Sequence, residues 1–142
     1  MTGLDALLAG MDPHATFHDA SLLALRVDYA ARTLSARLDL CVGDPDAASR
    51  EEREARRAGA LELTGLLYWV QEPPGDGPAG GGTRPPRLTA DGPLADAPTG
   101  TGKRLAGELP AGAWSCYMYF SDTNSFAYRA AGNASFRWLR RA

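Results

Sequence analysis

The sequence predicts a mainly β domain, and three observations carry the prediction. Apolar residues recur at every second position between Leu23 and Leu40, Ala60 to Val70 is apolar on both alternating faces, and the chain after Pro110 is aromatic and alternates again. A period of two is what a pleated strand imposes, because successive side chains point to opposite faces. Together these stretches give about six strands with minor helices, an antiparallel sheet closing into a sandwich or an open barrel.

The elements follow in order. Leu4, Leu7, Leu8 and Met11 lie at helical spacing behind Thr2 as N-cap, with Gly10 and Pro13 as stops, which predicts a short N-terminal helix. Leu23, Leu25, Val27 and Tyr29, then Leu34, Ala36, Leu38 and Leu40 after a break at Ala30 to Arg32, predict a hairpin. In "DPDAASREEREARRAG" Arg and Glu nearly cancel, and Glu52 and Arg56 stand at i, i+4, the mark of a solvated helical lead-in to the next strand. Leu61, Leu63, Leu67 and Trp69 share one face of that strand and Leu66, Tyr68 and Val70 the other, so it should be covered on both sides.

From Pro73 to Gly102, 15 of 30 residues are Gly or Pro, which predicts a mostly irregular insertion at about 73–110, with a brief ordered piece near Arg87 to Ala90. Eight of the twelve aromatics come afterwards, and breaks at Ser121 to Asn124 and at Gly132-Asn133 divide the rest into a three-strand meander.

Composition narrows the function classes. A chain of 142 residues fits one domain that buries roughly two-thirds of its unfolded surface. Its net charge of −2 lacks the basic field expected of a nucleic-acid binder. No apolar run approaches the roughly 18 residues of a membrane span. The start, "MTGLDALLAGMDP", has no cationic leader, and Cys41 and Cys116 read as two buried thiols, so a cytoplasmic location is expected. No cofactor motif is complete: in "PTGTGKRL" Ala97 and Arg104 replace residues a phosphate loop requires.

Candidate chemistry gathers at "TFHDASLLALRVDY". His14 and His18 are the only histidines and stand at i, i+4, weak metal candidates because Pro13 opposes a helix and Ala15 replaces the Glu of a metalloprotease motif. His18 could act as a general base, with Asp19 or Asp122 as the acid partner, although neighbours on an extended strand point to opposite sides. Alternatively Asp19 accepts backbone N–H bonds where the strand starts and His18 packs beside Phe17. Asp122, Asn124 and Ser125 suit a tight turn, and an adjacent first strand would bring His18, Asp19 and Asn124 to one end of the sheet.

"FHDA" leading into "LLALRVDYAARTLSARLDLCVGDP", then "LTGLLYWVQEPP" and "YFSDTNSFAYRAAG", resembles a group of small uncharacterised bacterial proteins. The "FHDA" segment is also distantly similar to one in immunity-type proteins of bacterial toxin systems. The resemblance implies a recurring mainly-β unit in which Phe17, His18, Asp19, Asn124 and Ser125 mark framework or site, and it implies no catalytic residue.

The expected function is therefore a non-catalytic protein-binding domain, an immunity or accessory protein. Phe17, His18, Asp19, Asn124, Tyr117 and Tyr119 are its candidate contacts, since Tyr is enriched at protein interfaces. Tyr128 would join them, and an open sheet edge would allow a homo-oligomer. The alternative is a small hydrolase or ligand-binding domain using His18 at the mouth of an open barrel, which requires a pocket converging on that residue.

Overall fold

The computed structural model describes residues 4–73 and 85–140. Strands β1 (Thr16–Asp28), β2 (Thr33–Cys41), β3 (Arg56–Gln71), β4 (Leu88–Gly92), β5 (Trp114–Phe120) and β6 (Ser125–Trp138) form one antiparallel sheet. Its order is β1-β2-β3-β6-β5-β4, curled into an open half-barrel. The two edge strands touch at one place, where Ser21 bridges Arg87 and the Leu22 N–H donates to Pro86 O at 2.8 Å. Helix α1 (Arg50–Arg53) leads into β3 with Ser49 as N-cap, and α2 (Gly100–Gly107) starts at Thr99, whose hydroxyl accepts the Gly102 N–H. No helix among the described residues is long and apolar enough to cross a membrane.

The mainly β class and the six strands follow the alternation, but several elements differ from the sequence reading. The N-terminal segment is a 3-10 turn at Leu4–Leu8 rather than an α-helix. The aromatic C-terminal region forms two strands, because β6 runs straight through Gly132-Asn133 instead of turning there. The 73–110 insertion contains β4, a 3-10 turn at Leu94–Asp96 and α2, while its Gly-rich part at 74–84 lies outside the described residues. Helix α2 forms despite three glycines because it has something to cover. Leu105 and Ala106 pack with Leu94, Tyr68, Tyr128 and Ala130 on the outer face of the sheet.

Inside the curl, Leu34, Leu38, Leu40, Leu61, Leu63, Met118 and Phe120 make the main core. Phe17, fully buried, stacks edge-on against Phe136, with ring centroids 5.3 Å apart. Of the β1 face predicted from Leu23 to Tyr29, Leu25 and Val27 pack against the core, whereas Leu23 and Tyr29 are exposed and Phe17, Ala20 and Leu22 are buried before them. The bulge between Leu22 and Ala24 moves the inward set from Ala20 and Leu22 to Leu25 and Val27 and leaves Leu23 outside, since one extra residue flips every later side chain to the other face, and Tyr29 lies beyond the end of the strand.

Strands β3 and β6 turn over together. In β3 the inward residues are Leu61 and Leu63, then Leu66; in β6 they are Ala127 and Ala131, then Ala134 and Phe136. The parity change falls where Gly65 (φ +61°) faces Gly132, a left-handed conformation that a side chain at position 65 would resist. A second irregularity between Leu66 and Tyr68 leaves Leu67 exposed and returns Trp69 to the core side.

Candidate functional site

The "FHDA" segment is a wide bulge, and its backbone explains its residues. Asp19 adopts φ 65°, a left-handed conformation that Asp tolerates better than most L-residues. That turn brings His18 and Asp19 to the same side, His18 Nε2 lying 3.7 Å from Asp19 Oδ2, and corrects the expectation that they diverge. The His18 side chain is 65% exposed and the Asp19 side chain 49%, so the pair sits in water. Phe17, named as a contact residue, is wholly buried and reaches no partner surface; its role is to fill the core.

The bulge is held from beneath by Arg56. Its Nε donates to Asp39 Oδ2 at 3.0 Å, and its Nη2 donates to the carbonyls of Asp19 and Asp39, each at 2.8 Å. One guanidinium at the start of β3 thus ties β2 and β1 together. Asp5 adds a second clasp, accepting from the Phe17 N–H at 2.9 Å and the Thr16 hydroxyl at 3.2 Å. Asp91 on β4 accepts the Leu4 N–H, and burial raises its carboxyl above the ordinary range while that hydrogen bond opposes the rise.

Two polar clefts share Asp19 and Arg87 in their lining. One, of about 500 Å³, is lined by Asp19, Ser21, Arg87, Thr89 and Asp122 among others. The other, of about 400 Å³, is lined by Asp19, Cys41, Arg53, Glu54, Arg56 and Arg87. Asp19 and Asp122 therefore share one cleft, but of the expected group of His18, Asp19 and Asn124 only Asp19 lines either cleft. Asp122 also accepts the Arg87 N–H at 3.0 Å, fixing the β5–β6 turn to the start of β4.

His14 and His18 look to different neighbours, since His14 Nε2 is 4.0 Å from Asp44 Oδ2. Among the described residues no group of three His, Cys, Asp or Glu is placed to hold a metal.

The tyrosines proposed as a contact surface are packed against their own chain. Tyr128 is 1% exposed and its hydroxyl lies 2.8 Å from that of Thr99. Tyr117 packs into the cluster beneath α2. Tyr119 lies against Phe126, centroids 4.7 Å apart, and donates to Asn124 Oδ1 at 3.0 Å. Asn124, with φ 47°, makes that turn. Of the two thiols, Cys116 is buried as expected and Cys41 is half-buried.

An unpaired edge lies elsewhere. Pairing between β2 and β3 ends at Thr33 and Thr64, where the β1–β2 turn grips Leu66: its N–H donates to Arg32 O, and Arg32 Nε and Nη2 donate to its carbonyl. Beyond that point β3 continues to Gln71, paired with β6 alone among the described residues. The Glu72 N–H donates to Phe126 O, so the alternation of an antiparallel ladder turns the N–H and C=O groups of Trp69 and Gln71 toward the free side. Tyr29, Arg32, Leu66, Leu67, Tyr68 and Trp69 line a cleft of about 480 Å³ beside this edge, with Leu67 and Val70 exposed.

Behind the edge stands Arg129, which the sequence reading passed over. It shares the inward face of β6 with Ala127 and Ala131 and is fully buried. Its Nη2 donates to Gln71 Oε1 at 2.7 Å, while Nε and Nη1 have no hydrogen-bond partner among the described residues. The signal was present in "FAYRAAG", where a long charged residue alternates with small apolar ones. Across the ladder lies Cys116, whose thiol burial pushes up to about 12 against the opposing pull of Arg129.

No family model matches the chain, and no curated protein does. Among solved structures it is similar to an uncharacterized protein from Neisseria gonorrhoeae, at 11% identity over 88% of this chain and 96% of that chain, with a TM-score of 0.50. At that identity the likeness shows the fold alone.

Proposed function

We propose that this chain is a non-catalytic protein-binding domain, an accessory or immunity-type protein, that takes up an extended segment of a partner on the free edge of β3. The observation that carries the reading is the uncharged run Leu67 to Gln71, whose far side has no pairing strand among the described residues. Open edges of native sheets are usually blunted by charge, proline or cover, and an apolar one invites strand addition. The contact surface moves from the tyrosines to this edge.

The test uses a short acetylated peptide of alternating Thr and Val and the amide NMR spectrum of the whole chain. Pairing predicts shifts at Trp69 and Gln71, and none when the peptide is N-methylated on the residues that would face β3. Absence of those shifts, or equal shifts with the N-methylated peptide, would refute the reading.

A second reading, a small-ligand or hydrolytic site at the clefts that Asp19 lines, is favoured by one observation: Asp19 and Asp122 line the same cleft beside His18. It is the weaker of the two because His18 projects outside that cleft, where no substrate would be enclosed around it.

A further inference from the structure

We infer that the strand accepted by β3 brings a carboxylate side chain into the half-barrel opposite Gln71, where it meets the free donors of Arg129. The inference rests on the proposed edge-binding function and names the chemistry of the partner.

Three observations converge on it. A guanidinium is charged at any pH a protein meets, and burying it without a counter-charge is costly. Arg129 has that environment: its hydrogen-bond partner is the neutral amide of Gln71, and no ion pair joins it to any carboxylate among the described residues. The bond to Gln71 also draws the guanidinium from β6 across to β3, the last strand before the free edge.

The side-chain directions agree. Trp69 packs against the inner core, and Gln71, two residues on, meets Arg129 on that same inner side. A residue paired with Gln71 on an added antiparallel strand faces the same way, because directly opposed side chains share a face. An Asp or Glu there lies beside the Gln71 amide and the guanidinium, while the residues on either side of it oppose Val70 and Glu72 and face outward. Arg32, lining the cleft beside this edge, adds a second positive charge, and none of the lining residues is acidic.

A second copy of this chain fits less well. Its own edge, Leu67 to Gln71, holds no acid, and Glu72 follows the parity of Tyr68 and Val70, on the outer side. The occupant is therefore an acidic extended segment of another protein.

Two peptides test this on the full chain: the Thr/Val strand with a central Glu and its counterpart with a central Gln. A charge-assisted hydrogen bond to a buried group is strong enough that the Glu peptide should bind about tenfold or more tightly. In Arg129→Met the preference should vanish while the free protein stays as stable as the parent or gains stability, since an unpaired buried charge is replaced by an apolar side chain. Equal binding of the two peptides to the parent overturns the inference and leaves edge binding standing. Failure of both to shift Trp69 and Gln71 overturns edge binding itself. A Glu preference that survives in Arg129→Met assigns the carboxylate to another cation and also overturns the inference. Should that variant not fold, Arg32→Met replaces it: a Glu preference that persists there belongs to Arg129, and one that vanishes overturns the inference.

Discussion

Replacing Phe17 by Ala separates the structural half of the "FHDA" segment from its exposed half. Burying a Phe ring removes roughly 150–250 Å² from water. At about 25 cal/mol per Å², less the part an Ala retains, the lost transfer energy is about 3 kcal/mol. The edge-on contact with Phe136 at 5.3 Å adds about 0.5–1.5 kcal/mol. The expected loss is about 3–5 kcal/mol, the usual range when a buried Phe leaves a cavity. His18→Ala is the internal control, because that side chain is 65% exposed and should change stability by less than about 0.5 kcal/mol. Urea titration of both variants and the parent, with slopes compared to verify a common unfolded state, provides the numbers. A loss below about 1.5 kcal/mol for Phe17→Ala would mean that the ring does not occupy the core as described. An equal loss for His18→Ala would mean that the exposed imidazole anchors the bulge and that burial does not separate the two residues.

Arg56→Ala should cost about 1–3 kcal/mol by orphaning the Asp19 and Asp39 acceptors, and Arg56→Lys should restore only part of it because an ammonium lacks the fork that reaches both strands; thermal unfolding of the three proteins checks the order, and full rescue by Lys would contradict it. Iodoacetamide on the native protein, read by mass spectrometry, should label half-buried Cys41 and spare Cys116 until unfolding. Cys116 also sets an alkaline limit. Its thiol, raised to about 12, keeps a proton that the unfolded chain loses from about pH 8.5, so its contribution is complete below that pH and declines as pH rises through the alkaline range. Replacing Cys116 by Ala should flatten that decline, and an unchanged slope would count against it.

What could be read from the sequence was set by local periodicity. Alternation alone located β2, most of β3 and the aromatic β5, since a half-buried strand must alternate whatever surrounds it. The bulges in β1 were invisible because nothing in the residue type of Asp19 requires φ 65°; a contact that holds the bulge comes from Arg56, 37 positions away. Helix α2 was missed for the converse reason. Gly100, Gly102 and Gly107 argue against a helix locally, and packing over Tyr68 and Tyr128 overrides them.

The site was legible only in part. Asp19 and Asp122, read as candidates, line one cleft, but the free edge and the buried Arg129 depend on which strands end early, a property of pairing register. The Tyr side chains were assigned to a partner because alternation distinguishes two faces and does not say which one a helix will cover.

The facing glycines 65 and 132 have a consequence for how the chain can change. They act as a crease: β6 has one inside on each side of it, Ala127 and Ala131 before and Ala134 and Phe136 after, while β3 changes at Leu66 and is turned back at Trp69 by its next irregularity. A one-residue deletion in either strand beside the crease would send one half's apolar set into water while leaving the other half correct. Matched two-residue changes in both strands would keep both the register and the facing. The two halves are thus separately adjustable: the half carrying β1 and β2 can be altered without re-facing the half that holds Arg129 and the open edge.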